Sequence, residues 1–354
     1  MNTAVEFGIF HEFERPAGMA EPRAFDEAFA VVDAAERWGL DAVWLAEIHF
    51  SPQRSLLSSP LTIASAIASR TERLKIGTAV QVLPLHHPLR LAEETATIDH
   101  LSKGRLIFGV GRSGFANTYQ RFQVPYAESR ERFAETLEVI RRGWTEQSFS
   151  HIGTYYQFEN ASVVPKPYQK PHPPIRIAAT SADTFPACGE LGLPIFCAVR
   201  LGTLSELGPN LDAYRAAFRA KGHPGKPEAF LRVPVYVAQT PDQARAEPAA
   251  SILSFYRTLG KQLEASATEA GAREVEDRAG RGRRLQEIEW DEVVRDKVVV
   301  GTSAQVAQRL RTLQQELGLD GILAELNCGA LIPHDKVLNA CACCARRSCP
   351  PYDV

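Results

Sequence analysis

Apolar runs alternate with amphipathic segments along most of the chain, and glycine marks four of the boundaries between them. Four stretches join a helix-like segment to a run of branched apolar residues: ERWGLDAVWLAE, HLSKGRLIFGVG, GELGLPIFCAV and QELGLDGILAEL. Glycine accepts the left-handed conformation that ends a helix, and strands that are apolar on both faces suit a buried parallel sheet. The pattern therefore predicts a chain of repeated βα units.

Counting these units gives eight strands, each followed by a helical stretch. The predicted strands are Val5–Phe10, Ala42–Ala46, Ile76–Val82, Leu106–Gly111, Ile175–Ala179, Ile195–Val199, Val233–Val237 and Ile322–Leu326. A typical intervening helix places Phe133, Leu137 and Ile140 on one face at spacings of four and three. Eight such units predict an α/β fold, a single (β/α)8 TIM barrel domain over residues 1–338.

Two segments interrupt the repeat. Residues 150–174 contain the aromatic sequence YYQF and then five prolines, which indicates a short hairpin followed by an extended connector. Residues 262–296 are charged and alanine-rich with few large apolar side chains, which indicates a surface insertion. We interpret this insertion either as a mobile lid or as a solvated helical excursion.

The charge balance narrows the choice of partners. The 354 residues include 40 Lys and Arg against 42 Asp and Glu, a formal net charge of −2, and the basic residues form no long run. A small-molecule substrate is therefore expected, with no nucleic-acid and no membrane partner. No apolar run reaches the roughly 18 residues of a membrane span, and the N-terminal stretch lacks the pattern of a signal segment, so we expect a cytoplasmic protein. Cys188, Cys197 and Cys328 stand singly in apolar surroundings, which predicts reduced, buried thiols.

The most conspicuous motif is Gly109-Val-Gly111-Arg-Ser-Gly114, which matches the G-x-G-x-x-G pattern after a strand. A dinucleotide-binding turn requires a helix immediately afterwards and an acidic residue about 20 residues on, at the end of a second strand. Here a polar loop runs to Pro125 before the next helix begins. The motif therefore does not predict a Rossmann fold.

In a barrel of this kind, the chemistry belongs to residues just past the C-terminal ends of the strands, because the eight βα loops converge there. The residues that meet this criterion are His11, Glu47, His49, Arg112, Thr180, Ser181, Arg200, Gln239 and Asn327.

Two of these positions suggest a phosphate site. Arg112 leaves a core strand at the barrel mouth and needs an anion, either a ligand phosphate or an internal carboxylate. The turn from Thr180 to Thr184 opens a helix, so its hydroxyls either cap that helix or bind a phosphate at its N-terminus. Because the two features follow neighbouring strands, one phosphate between Arg112, Ser181 and Thr184 is a coherent hypothesis.

Other reactive side chains lack the context that their chemistry needs. His86 and His87 are adjacent in a strand-to-helix turn, so they point apart, and no acid or cysteine stands at ligand spacing. The chain contains neither a G-x-S-x-G elbow nor a P-loop. We therefore predict no metal site and no hydrolase or P-loop chemistry.

Four segments together resemble the luciferase-like flavin-dependent monooxygenases over about residues 3–338: VWLAEIHF at 43–50, IGTAVQVLPLHHP at 76–88, IDHLSKGRLIFGVGRSG at 98–114 and IRIAATSADT at 175–184. The resemblance implies a site for reduced FMN. It implies a non-prolyl cis peptide at Ala79–Val80 under the flavin ring and a carboxylate near the flavin at Glu47. The phosphate then falls to Arg112 and to the hydroxyl turn that contains Thr180, Ser181 and Thr184.

The chain also departs from the light-emitting subunit of that family. The catalytic histidine directly after the strand-two acid is replaced by Ile48, while His49 is kept at the next position. Gly111 replaces a reactive cysteine beside the arginine, and Thr180 replaces an acid before the phosphate serine. Bioluminescence is therefore not expected.

The resemblance implies that FMNH₂, supplied by a separate NAD(P)H-dependent flavin reductase, activates O₂ as a C4a-peroxyflavin and oxygenates a small organic substrate such as an aldehyde or ketone. His49 and His11 are the candidate catalytic acid–base residues, because histidine titrates near neutral pH. A homodimer is also expected. Two alternatives stay open: a deazaflavin-dependent dehydrogenase on the same barrel, and a non-catalytic flavin-binding subunit.

The composition changes abruptly near the end of the chain. Residues 339–354 read NACACCARRSCPPYDV, where members of the family usually carry an amphipathic closing helix. The cysteines have no established metal-ligand spacing, so we hypothesise a frameshifted terminus. Genomic DNA with no leucine-rich helix in an adjacent frame would contradict this hypothesis.

Overall fold

The computed structural model describes residues 5–199, 202–267 and 275–345 of the chain. The strands in these ranges are β1 (Glu6–His11), β2 (Ala42–Leu45), β3 (Lys75–Thr78), β4 (Gln81–Val82), β5 (Leu106–Gly111), β6 (Phe149–Ile152), β7 (Gln157–Ala161), β8 (Ile175–Ala178), β9 (Ile195–Ala198), β10 (Ala229–Val237), β11 (Val299–Gly301) and β12 (Gly321–Glu325). The helices are α1 (Glu21–Trp38), α2 (Pro60–Arg70), α3 (Pro88–Leu101), α4 (Ala116–Arg121), α5 (Ser129–Thr145), α6 (Thr184–Leu191), α7 (Leu207–Ala220), α8 (Pro241–Ala246), α9 (Ala249–Ala267), α10 (Val275–Gln286), α11 (Trp290–Asp296), α12 (Ser303–Leu317) and α13 (His334–Ala345).

Parallel pairing closes eight of these strands into a barrel. The order around the barrel is β1, β2, β3, β5, β8, β9, β10 and β12, and β12 pairs again with β1. Ile9 of β1 lies opposite both Val43 of β2 and Ala324 of β12, so the first and last units are neighbours. The predicted (β/α)8 TIM barrel is confirmed.

Three details differ from the predicted strands. The third strand is interrupted, because the Ala79–Val80 peptide bond is cis and lies between β3 and β4. The seventh strand begins at Ala229 instead of Val233, since its first residues already pair with β9 and β12. The short strand β11 extends the sheet beside β10, and its three residues carry too little pattern to be recognised in the sequence.

The segments that interrupt the βα rhythm are themselves structured. Strands β6 and β7 form an antiparallel hairpin, and cis prolines follow at 165 and 171. Helices α9, α10 and α11 share a small apolar cluster that includes Tyr256, Leu285 and Val293. Residues 268–274 of the predicted insertion lie outside the described residues. Helix α13 carries Cys341, whereas positions 346–354 of the unusual tail also lie outside the description.

The three single cysteines have the environment that the sequence predicted. Cys188, Cys197 and Cys328 are buried and unpaired, as predicted. Burial raises the pKa of the Cys188 and Cys197 thiols to about 12, which keeps them protonated and unreactive. None of the described helices has both the length and the apolar character that a membrane crossing requires.

Side chains fill the barrel interior at the N-terminal ends of the strands. Arg176 of β8 donates to Glu6 of β1 over 2.7 Å, and its guanidinium lies 4.8 Å from the ring centre of Trp44. Trp44 packs edge-on against Phe196 with ring centres 5.0 Å apart. These side chains fill the barrel at the N-terminal ends of the strands, so we expect a ligand to enter at the C-terminal ends.

Close strand packing explains the two strand glycines of the G-x-G-x-x-G motif. A Cβ added at Gly109 would overlap the carbonyl oxygen of Thr78 and lie 2.7 Å from Phe196 Cε2. A Cβ at Gly111 would overlap the side chain of Val80. Thr78 Oγ1 also donates to the carbonyl of Gly109 over 2.6 Å. The glycines therefore allow β3 and β4 to approach β5 closely.

We expect Gly109→Ala to lower the free energy of unfolding by about 3 kcal/mol, because the new methyl group forces β3 away from β5. Gly280→Ala in α10 is the matched control, since a Cβ there meets no atom within 4 Å. The control should be neutral or stabilising by up to about 1 kcal/mol. Guanidinium unfolding of both variants measures the difference, and equal stabilities would contradict the packing explanation.

Candidate active site

A buried carboxylate occupies the barrel mouth. Glu47 stands two residues after the end of β2, and its side chain is fully closed off from solvent. Its Oε1 atom lies 2.8 Å from Nε2 of His49 and 2.8 Å from Nε2 of His86. Its Oε2 atom accepts hydrogen bonds from Gln81 Nε2 over 2.6 Å and from the backbone N–H of Val82 over 2.7 Å. Both oxygens are thus satisfied by the protein alone.

The barrel brings these donors together from three places in the chain. His49 stands two residues after Glu47, whereas Gln81 and Val82 belong to β4 and His86 to the turn before α3. Strands β2 and β3 are paired neighbours, so the segments that follow them meet at the same edge. The cis bond at Ala79–Val80 lies between the end of β3 and Gln81.

The donors keep Glu47 ionised. Burial by itself raises the pKa of a carboxyl group, but hydrogen bonds from His49, His86 and Val82 outweigh it and hold the pKa of Glu47 below its usual range. For His86, burial acts to lower the pKa, whereas its hydrogen bond and attraction to Glu47 raise it above the ordinary histidine value. The cluster therefore pairs a carboxylate with a histidine that readily carries charge.

The structure does not bring His11 to this cluster. Its side chain faces the helix layer, where it lines a small cavity with Val31 of α1 and Val337 of α13. Its Nδ1 atom lies 2.9 Å from Glu14 Oε2 and 3.0 Å from the backbone nitrogen of Phe13. The two histidines named from the sequence are thus in different environments, and only His49 contacts Glu47.

An ion-pair cluster holds the loop that carries Glu47 and His49. Arg54, later in the same loop, donates to Glu12 through two nitrogens over 2.7 and 2.6 Å. Arg232 of β10 bridges Glu12 over 3.2 Å and Glu325 of β12 over 2.8 Å. Two cations and two anions balance within the barrel mouth, so the loop is tied to both sides of the barrel.

Arg112 has no carboxylate partner in the part of the chain that the structure describes. Its Nη1 atom donates to Ser129 Oγ over 2.8 Å, and its guanidinium lies 5.6 Å from the ring centre of Tyr126. The hydroxyl of Tyr119 donates to its backbone oxygen. An internal salt bridge within these described ranges therefore does not explain the position of Arg112.

The hydroxyl turn follows the strand next to that of Arg112 and is held by its own hydrogen bonds. Strand β5 pairs with β8, so the loops after them are adjacent. Thr184 Oγ1 donates to the carbonyl of Ser181 over 2.6 Å, and Ser181 Oγ donates to Asp183 Oδ1 over 2.6 Å. The backbone N–H groups of Thr180 and Ser181 both point to Thr184 Oγ1 at 3.2 Å.

One chain contact links this turn to Arg112. Arg130 donates to Asp183 over 2.8 Å, and Arg130 is the neighbour in sequence of Ser129, which Arg112 contacts. The start of α5 therefore connects both halves of the candidate phosphate site. This link also holds the pKa of Asp183 below its usual range, since hydrogen bonds from Ser181 and Arg130 outweigh burial.

Two features lie above the site. Aromatic side chains surround His49, whose ring centre is 4.8 Å from that of Phe122 and 5.8 Å from that of Phe50. Arg278 of α10 donates to the carbonyl of Gly114 over 2.6 Å, so the predicted insertion touches the loop that begins at Arg112.

Two other strand-end candidates, Gln239 and Asn327, take no part in either half of the site. Gln239 is exposed beyond β10, and Asn327 Oδ1 accepts from the backbone N–H of Ile332 over 3.0 Å. Arg200 lies outside the described residues.

Sequence reasoning missed four contributors: Gln81, His86, Ser129 and Arg130. From the sequence, His86 is treated only as a possible metal ligand. The carboxylate of Glu47 in VWLAEIHF was the signal that could have indicated a hydrogen-bonded role instead. Ser129 and Arg130 open a helix whose first residues point back to the barrel mouth. Nothing in the local pattern marks them.

Comparison with known proteins shows the family of the chain. The family model described as luciferase-like monooxygenase matches residues 5–321. The chain belongs to the luciferase-like monooxygenase family. The alkanal monooxygenase alpha chain of the Kryptophanaron alfredi symbiont is 29% identical over 62% of this chain and 61% of its own length. The oxygenase component of the flavin-dependent trigonelline monooxygenase of Acinetobacter baylyi is 27% identical over 72% of this chain and 71% of its own length.

An uncharacterised protein of Sinorhizobium fredii is 32% identical over 59% of this chain and 60% of its own length. The chain thus spans about three fifths of the length of two of these relatives. Monooxygenase RslO1 from Streptomyces bottropensis has a TM-score of 0.76 at 25% identity, covering 97% of this chain and 98% of its own. The oxygenating constituent of a 3,6-diketocamphane monooxygenase from Pseudomonas putida, solved with FMN, has a TM-score of 0.79 at 18% identity, covering 97% of each chain, and shows the shared fold.

We expect Glu47→Gln to lower the free energy of unfolding at pH 7 by about 3 kcal/mol, because the new amide faces buried donors with a donor of its own. The difference in unfolding free energy between wild type and Glu47→Gln should shrink as the pH falls from about 4.5 through the lowered pKa of Glu47 in the folded protein. Below that pKa, the carboxylate of the wild type is protonated in both the folded and the unfolded protein. Guanidinium unfolding at pH 7 and at lower pH measures both effects. Glu159→Gln, at an exposed position in β7, is the control and should be neutral at either pH.

Proposed function

We propose that the chain is the oxygenase component of a two-component flavin monooxygenase, which binds reduced FMN and uses O₂ to oxygenate a small organic substrate such as an aldehyde or ketone. The observation that carries the proposal is the pairing, at one barrel mouth, of a cation without a carboxylate partner among the described residues and a buried carboxylate–histidine cluster. The first suits a phosphate group, and the second suits proton transfer beside a reactive ring.

The phosphate end fits the chemistry of FMN. Arg112 offers guanidinium donors, and the turn at 180–184 offers the start of α6. The hydroxyls of Ser181 and Thr184 would exchange their hydrogen bonds within the turn for bonds to the phosphate. A phosphate dianion would supply the charge that Arg112 lacks, and bidentate donation suits its planar fork. Thr180, Ser181 and Thr184 are thereby assigned to the phosphate together with Arg112.

We assign the flavin ring to the part of the site formed by Glu47, Ala79 and Val80. Reduced FMN would supply the activation of O₂, which is the chemistry of the cofactor and not of the protein. The protein supplies orientation and a proton-carrying group. Because Glu47 fixes Nε2 of His49 as a hydrogen-bond donor, Nδ1 is the atom at which His49 would take up or release a proton.

Exclusion of water is a second contribution of this chain. Phe50 and Phe122 flank His49, and α10 reaches the loop after Arg112. An apolar rim and a helical cover limit the entry of water, which protects oxygen intermediates from unproductive decay. This supports the interpretation of residues 262–296 as a lid.

A separate reductase follows from the same proposal. The trigonelline enzyme is described as an oxygenase component, which implies that another protein reduces its flavin. We propose the same division here, with an NAD(P)H-dependent reductase in the cytoplasm and the oxygenase as a homodimer.

The second candidate is a deazaflavin-dependent dehydrogenase. An F420-dependent secondary alcohol dehydrogenase shares the fold, with a TM-score of 0.73 at 15% identity and coverage of 96% of this chain and 98% of its own. A third reading, a non-catalytic flavin-binding subunit, is permitted by Ile48. All three readings make different predictions for one experiment.

That experiment photoreduces FMN with the purified chain without oxygen, then admits ¹⁸O₂ together with aldehydes, ketones and aromatic compounds. Incorporation of ¹⁸O into a product supports the proposal. Tighter binding of F420 than of FMN, with oxidation of an alcohol and no oxygenated product, would replace it by the dehydrogenase. Flavin binding without turnover of either kind would leave the non-catalytic subunit.

We expect Arg112→Gln to weaken FMN binding about tenfold or more and to leave riboflavin binding unchanged, because riboflavin lacks the phosphate. Fluorescence titration with both ligands gives the comparison. Arg309→Gln on the outer helix α12 is the control and should affect neither. Equal losses for FMN and riboflavin would place Arg112 away from the phosphate.

A further inference from the structure

The carboxylate of Glu47 is shared unequally among its donors. Oε2 is occupied by Gln81 and by the backbone of Val82. Both imidazoles are therefore directed to the same atom, Oε1, each at 2.8 Å through its Nε2. Nε2 of His86 also lies 2.7 Å from Nε2 of Gln81, which is neutral. The full negative charge of Glu47 decides the proton position, because a ring nitrogen with an exposed lone pair would be repelled at 2.8 Å from a buried anion, so both Nε2 atoms carry hydrogen.

Two protonatable rings on one oxygen cannot act independently. When one ring becomes an imidazolium, it partly neutralises Glu47 and repels a second positive charge on the other ring. Nδ1 of each ring accepts the titrating proton, since no described protein group hydrogen-bonds to either Nδ1. The proton affinity of each histidine must then depend on the state of the other.

Exposure assigns different roles to the two rings. The side chain of His86 is 32% exposed, whereas that of His49 is 11% exposed and is enclosed by Phe50 and Phe122. His86 therefore exchanges protons with solvent, and His49 faces the interior of the barrel mouth. His86, the ring in contact with water, takes no direct part in any proposed step.

We propose that His86 is a positioning residue that sets the proton affinity of His49 through the Glu47 oxygen that both rings share. The inference rests on the proposed function only for the role of His49 in turnover. The coupling itself belongs to the protein without any ligand.

Three other groups lie around His86. Glu94 of α3 adds a weaker attraction that raises the pKa of His86, and it is itself paired with Arg90 over 2.7 Å. The hydroxyl of Tyr156 donates to the backbone oxygen of His86 over 3.2 Å and does not reach the ring. Gln81 contacts Nε2 of His86 over 2.7 Å but carries no charge. Among the described groups, Glu47 is thus the charged group that His86 and His49 share.

The chain offers a matched control in the neighbouring residue. His87 belongs to the same turn, but its ring packs edge-on against Tyr156 and Phe158, with ring centres 5.7 Å apart in each case. It makes no contact with Glu47. Removing His87 changes the turn in a similar way without changing the carboxylate cluster.

The test is an NMR titration of the ring protons of His49 in the full chain without flavin, comparing wild type, His86→Gln and His87→Gln. Glutamine keeps a donor close to the position of Nε2 but cannot become charged. In His86→Gln the titration midpoint of His49 should rise by about one unit, because the competing cation is gone. In His87→Gln it should not move. A midpoint that is the same in all three proteins overturns the proposal.

A reciprocal measurement keeps the test decisive if His86→Gln folds poorly. In His49→Gln, the pKa of His86 should rise by the amount by which the His49 midpoint rises in His86→Gln, because coupling between two sites is mutual. Neutralising Glu47 itself, in Glu47→Gln, should lower the pKa of both rings, because the anion that attracts their protons is gone. An unchanged His86 in His49→Gln overturns the inference.

The rate profile separates this inference from the proposed function. With reduced FMN and substrate, the acid limb of kcat/KM in His86→Gln should move to higher pH by the same amount as the His49 midpoint. If the NMR coupling is present and the rate profile is unmoved, the coupling stands and the catalytic role of His49 fails. If the coupling is absent, the inference fails whatever the enzyme does.

Discussion

The burial of one carboxylate at the mouth of the barrel fixes the positions of the segments that surround it. Glu47 is closed off from water, so its charge has to be met by donors that the protein supplies, and it receives four of them. These donors come from the loop after β2, from β4 and from the turn before α3. Each of these segments is therefore held in one position relative to the others, and an error in any of them leaves a buried charge uncompensated.

The opposite arrangement is found at the other end of the site. Arg112 brings a positive charge to the mouth but has only Ser129 and an aromatic ring near its guanidinium among the described residues. The negative charge of Glu47 is fully hydrogen-bonded, whereas the positive charge of Arg112 has no carboxylate partner among the described residues. The mouth of the barrel therefore has two chemically distinct ends. Reduced FMN has two matching ends, a phosphate dianion and a ring whose reaction needs a controlled proton. This correspondence supports a flavin site more strongly than either half alone.

The sequence led to much of this arrangement but not to all of it. The βα repeat and the rule that chemistry follows the strand ends were enough to select Glu47, His49, Arg112 and the hydroxyl turn. They also selected His11, which the structure places against α1 and α13 with Glu14 as its neighbour. A strand-end position specifies which edge of the barrel a residue occupies. It does not specify whether the side chain turns towards the interior or towards the helices, since a change of one residue reverses the face.

Local patterns by themselves determined the barrel, the order of its strands and the set of polar residues at one edge, because periodicity and turn chemistry depend on neighbours a few residues away. Only the tertiary structure decided that His86 and Gln81 meet Glu47, which lies more than 30 residues earlier in the chain. It also decided that Arg112 has no acidic partner among the described residues and that Gly109 and Gly111 serve strand packing. These outcomes follow from barrel closure, which brings distant segments within hydrogen-bond distance.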